Sequence, residues 1–124
     1  DVHRDIPAAL LLEADPQETA LVCDLAIAAS YQIDAAAPLQ SLSEVVEGYT
    51  TLHPLTALEL ALVPGLTATR MVTTIAIASW RAACYPDNAT YILRNLPVSR
   101  AGLAALAAVP PNDLAQVFGR LPAA

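Results

Sequence analysis

The chain contains no lysine. That excludes every chemistry that needs a primary amine, from a Schiff base to an ammonium gripping nucleotide phosphates. The six cations are Arg4, Arg70, Arg81, Arg94, Arg100 and Arg120, scattered through 124 residues of net charge −6. No run of them forms a basic cluster, so the sequence carries no nucleic-acid footprint. Cysteine is equally scarce. Cys23 and Cys84 are too few for a disulfide framework and sit in apolar surroundings, so they are expected as reduced, buried thiols of a cytoplasmic protein. The four glycines, Gly48, Gly65, Gly102 and Gly119, form neither a phosphate-binding loop nor a dinucleotide fingerprint. None of the serines stands in a G-x-S-x-G elbow. No secretory leader is read at the N-terminus. No uninterrupted apolar run reaches the length of a membrane span: Asp24 breaks one stretch, and Pro64, Gly65 and Arg70 break another.

What is present is alanine, leucine and valine. Apolar residues make up 56% of the chain and mean hydropathy is +0.48, high for a domain of this size. Such an excess points to exposed apolar faces that a second copy covers, and a homodimer or higher oligomer is expected. No alternating strand pattern of any length occurs, so the fold is expected to be all-α, a bundle of about five to seven helices. Two parts are distinguished, an N-terminal segment over 1–14 and a helical domain over 15–124.

The stretch Asp15–Ile33 (DPQETALVCDLAIAASYQI) carries the strongest helix signal. Asp15 suits an N-cap, Pro16 the first helical position and Glu18 the capping-box position. From Ala20 to Ala29 the only charge is Asp24, which predicts a helix buried on nearly all sides, the rod around which the others pack. A buried Asp24 then needs a partner, with Arg70 or Arg81 as the candidates for an ion pair, or else titrates as a perturbed catalytic acid. Ahead of this helix, Pro7 opens a short helix or Leu10–Leu12 forms a strand, and helix is favoured because a lone strand has nothing to pair with.

Leu39, Leu42, Val46 and Tyr49 share one face of an amphipathic helix. Thr56 and Glu59 form a capping box that opens a helix over residues 57–63. Pro64-Gly65 is expected to end or sharply kink it. A long helix over residues 66–83 follows, with Met71, Val72, Ile75, Ile77 and Ala78 on its buried side. Tyr85-Pro86-Asp87 stops that helix. Asp87 and Ser99 are expected to cap two short helices, and a last one spans residues 112–121.

These segments resemble a known family. TALVCDLAIAASY, then EVVEGYTTLHPLTALELALVPGLTATRMVTTIAIASWR, then YPDNATYILRN are similar to the helical C-lobe of aminoglycoside-phosphotransferase-like kinases, nearest the hydroxylysine-kinase and homoserine-kinase-like branch. The resemblance covers roughly Thr19 to Val109. It implies a catalytic loop of the form H-x-D-x-x-x-x-N. His3-Arg4-Asp5 matches its start, which makes Asp5 the implied catalytic base. The metal-binding asparagine is then due at position 10, where Leu10 stands. The D-F-G-like segment is missing too, since the only phenylalanine, Phe118, follows Val117. With no phosphate-gripping lysine either, ATP-dependent phosphotransfer is not expected.

Two functions of different classes follow. One is a non-catalytic helical module that binds itself, a partner or a small-molecule ligand between its helices, with neither nucleic acid nor membrane as its partner. The other is a minimal metal-dependent hydrolase of phosphoesters or related esters. In it His3, Asp5 and Glu13 hold a divalent cation such as Zn²⁺ or Mn²⁺, and His3 and Asp5 act on the substrate or its attacking water. His53, beside Glu44 and Glu47, offers a weaker ligand set.

Overall fold

The computed structural model describes residues 16–121, all helix and connection with no strand among them. Six α-helices follow one another: α1 Pro16–Ser30, α2 Pro38–Thr50, α3 Ala57–Cys84, α4 Ala89–Ile92, α5 Leu96–Ala107 and α6 Pro111–Phe118. A single 3₁₀ turn, Pro86–Asn88, joins α3 to α4. The all-α expectation holds. The segment carrying His3, Asp5, Glu13 and Asp15 lies outside the described residues.

The hub is α3 rather than α1. It packs against α1, α5, α6, α4 and the 3₁₀ turn, and its contact with α1 is the most extensive among the described helices. On α1, the residues Val22, Leu25, Ala26 and Ala29 are buried, a single stripe at helical spacing. The opposite side faces outward with Leu21, Cys23, Asp24 and Ala28 exposed. A helix apolar all round was expected to be enclosed, but much of its apolar excess is alanine, whose small surface costs little to expose. Asp24 is therefore solvated and needs no buried partner, and Cys23 is an exposed thiol, as is Cys84.

Helix α3 opens as its sequence specifies. The Glu59 amide donates to Thr56 Oγ1 at 3.1 Å, and the Glu59 carboxylate accepts from the Thr56 amide at 2.8 Å. It then continues through Pro64 and Gly65 as one helix of 28 residues, where a break was expected. An interior proline deprives the Leu60 carbonyl of its donor and costs about 3 kcal/mol. Tertiary burial offsets that loss. Val63 and Thr67 are fully buried, and Pro64 is itself buried. The continuity has a second consequence. By length and composition α3 meets the requirement for a membrane span, and only 22% of its most apolar window is buried within this bundle. The buried side also differs from expectation. Met71 is buried, while Val72 is 53% and Ile77 51% exposed.

The core joins all five longer helices through Val22, Leu25 and Ala29, Leu42 and Val46, Val63 and Met71, Leu106, and Phe118. The face read for α2 is the face it buries, with Leu42 and Val46 in the core and Leu39 and Tyr49 packed on its margin. Ser99 lies inside α5, which begins at Leu96 with a proline in its first turn. Pro97 fits there because its missing N–H belongs to the turn that has no intrahelical acceptor. Neither Asp87 nor Ser99 caps a helix by its side chain. Gly102 lets α5 approach closely: a Cβ there would stand 3.2 Å from Met71 Cε and 3.6 Å from Ile33 Cγ2.

Candidate functional site

One face of α3 is neither core nor bare surface. Arg70, Thr74, Ile77, Ala78 and Arg81 recur at three- and four-residue steps, so they line one side of the helix over three turns. Beyond Cys84 the chain reverses. Tyr85 closes α3, the 3₁₀ turn brings Asn88 round, and α4 returns against α3 with Tyr91 and Ile92. Arg94 follows, and Tyr31 closes the other flank from the end of α1. These residues enclose a groove of about 720 Å³, a volume suited to a small molecule.

Three of the arginines, Arg70, Arg81 and Arg94, thus border one groove, spread along its length. No aspartate or glutamate lines the groove. The neighbouring Asp87 is exposed and outside the lining. A chain of net charge −6 therefore carries a local surface of the opposite sign. The C-terminal end of α3 also abuts it, and the helix dipole contributes roughly half a negative charge there. Three guanidinium charges outweigh that half charge.

The guanidinium groups differ in how they are held. Arg94 is fixed twice: its Nη1 donates to the Tyr91 carbonyl at 2.7 Å, and its Cζ stands 3.8 Å above the centre of the Tyr91 ring. Stacking and hydrogen bond together select one orientation and leave further N–H donors for another acceptor. Arg70 is half-buried, and its Nε is enclosed with no hydrogen-bond partner among the described residues. A buried donor left unpaired costs on the order of 1–3 kcal/mol. Arg81 is exposed at the rim. The arrangement offers fixed positive charge, planar donors and ring faces. Its lining contains no histidine, cysteine, aspartate or glutamate.

The residues singled out from the sequence are not brought together here. His3, Asp5 and Glu13 lie outside the described residues. His53 sits exposed in the turn after α2, its ring 5.4 Å from that of Tyr49. Among the described residues no group of three or more His, Cys, Asp or Glu side chains stands close enough to hold a metal ion. Sequence reading missed the groove, although the steps Arg70, Thr74, Ile77, Arg81 were there to be found once the helix was assigned.

Comparison with known protein families, curated proteins and solved structures returns no match for this chain.

Proposed function

We propose that the chain is a helical binding module, similar in build to a kinase C-lobe but without phosphotransferase activity of its own, and that its ligand is anionic. The presence of Arg70, Arg81 and Arg94 along a groove whose lining has no carboxylate supports this reading most directly. Arginine keeps its charge at any physiological pH and presents planar donor pairs matched to carboxylate and phosphate oxygens. Within the chain, the absence of lysine and the leucine at position 10 support the non-catalytic side of the proposal.

Titration with inorganic phosphate tests the reading. At about 150 mM salt the screening length is about 8 Å, so most of the negative surface is hidden from the groove. Saturable binding is expected, and Arg81→Ala should weaken it by about tenfold, the scale of one charge-assisted contact. Non-saturable heats, or equal affinity in the variant, would refute it.

Self-association is the second use the surface supports. Val72, Ala76 and Trp80 form an exposed stripe on α3, with Trp80 66% exposed, and we propose it as the dimer face. Light scattering reads this directly. The metal-dependent hydrolase alternative rests wholly on His3, Asp5 and Glu13, and no described residue adds to it.

A further inference from the structure

Tyr31, Tyr85 and Tyr91, three of the chain's four tyrosines, border the groove together with three of its six arginines. Tyrosine and arginine are, with tryptophan, the residues that carry most of the energy of protein interfaces. A tyrosine presents a large ring face at little entropic cost, and an arginine presents donors that keep their charge. The rest of the lining is mostly apolar, with Ile77, Ala78 and Ile92 beside Thr74 and Asn88. Shape points the same way. Arg70 and Arg81 lie three helical turns apart on one side of α3, about 16 Å along the axis, so the charges are strung out rather than gathered at a point. Small-molecule sites enclose most of their ligand. Here Tyr31, Ile77, Tyr85 and Tyr91 are each more than half exposed, so an occupant keeps one side in water. A linear occupant suits such a groove, and an extended peptide covers that distance with about five residues.

We infer that the groove binds an acidic peptide segment whose carboxylates alternate with apolar side chains. This rests on the anion-binding reading and names its ligand. Arg81 and Arg94 are both exposed, and each pairs with its own carboxylate, so the two need not be neighbours. Arg94 is already oriented by Tyr91, so little side-chain freedom is lost on binding. The apolar side chains settle on Ile77, Ile92 and the tyrosine rings and add affinity in proportion to the area they cover. Charge decides against two other occupants. A second copy laid groove to groove sets arginine against arginine, with no carboxylate in the lining to relieve it. A nucleic acid carries a charge at every phosphate and runs out of the groove over a chain of net charge −6.

The test is a calorimetric titration of the full chain with the capped peptide ELELELE, its serine counterpart ESESESE, its cationic counterpart RLRLRLR and inorganic phosphate, all in the same buffer. ELELELE should bind at least about tenfold tighter than ESESESE, the gain from the area its leucines cover. It should also bind at least about tenfold tighter than RLRLRLR. In Ile77→Ser, folding checked by circular dichroism, the ratio between the two acidic peptides should fall towards one, and an unchanged ratio would overturn the placement in this groove. Equal binding of RLRLRLR would overturn the acidic assignment. Equal affinities for ELELELE and ESESESE in the unaltered chain, or binding of phosphate without either peptide, would overturn the peptide assignment and leave the anion reading standing. No binding of any of the anions would overturn both. Displacement of ELELELE by oligothymidylate at lower concentration would overturn the peptide in favour of a nucleic acid. Peptide affinity that falls as protein concentration rises, with a matching rise in mass by light scattering, would overturn it in favour of a second copy.

Discussion

Leu25→Asp should abolish cooperative folding. Leu25 is 2% exposed in the stripe by which α1 packs into the core, flanked by the fully enclosed Val22 and Ala29. Replacing a buried leucine loses about 2–5 kcal/mol of transfer and cavity energy before any charge is counted. The new carboxylate then has to be buried without a partner or protonated, at a further cost of several kcal/mol. A domain of this size has on the order of 5–15 kcal/mol of stability in total. Urea denaturation followed by circular dichroism should therefore show no native baseline for the variant. A cooperative transition within about 1 kcal/mol of the parent would mean that α1 does not pack through this stripe.

Phe118→Ala should be nearly as costly and more local. Phe118 is the only phenylalanine, 2% exposed, and it ends an eight-residue helix. A helix that short does not persist in water without tertiary support. Phe118 anchors α6 in the core, with Leu114 packed on the core's margin one turn earlier, and α6 docks on α3. Truncation to alanine should remove about 3–5 kcal/mol and strip the α6 amides of hydrogen-exchange protection before the α3 amides lose theirs. A loss under about 1 kcal/mol would place the anchor of α6 elsewhere.

Where local chemistry and tertiary packing agree, the sequence was legible. The Thr56–Glu59 box and the Leu42–Val46 face of α2 are each complete within a few residues, and each stands in the structure as read. Pro64 shows the opposite case. Its local rule predicts a break, and the burial of Val63, Pro64 and Thr67, which no local pattern reveals, prevails. The stretch from Leu21 to Ala29 misled for a related reason. Composition says how much apolar surface a helix has, not how many neighbours it finds, and α1 buries only one stripe. That left Cys23 and Asp24 in solvent and removed the ion pair proposed with Arg70 or Arg81.

The groove was the hardest to foresee. Arg70 and Arg81 share a helix face that can be read from spacing. Arg94 joins them only because the chain reverses after Tyr85 and α4 returns against α3. Tyr31 arrives from a separate helix. The reversal was signalled by Tyr85-Pro86-Asp87, but its direction was not. The same reversal puts Arg94 on a groove with Arg70 and Arg81, so the proposed functional reading depends on a tertiary feature more than on any motif.

The most direct measurement follows the arginine side chains by NMR as inorganic phosphate is added to ¹⁵N-labelled protein. With six arginines and no lysine, the Nε–Hε region is sparse enough to assign residue by residue. Anion binding in the groove predicts saturable shifts confined to one or more of Arg70, Arg81 and Arg94, while Arg100 and Arg120, which lie outside it, stay in place. Shifts of equal size at all the arginines, or none that saturate, would contradict it.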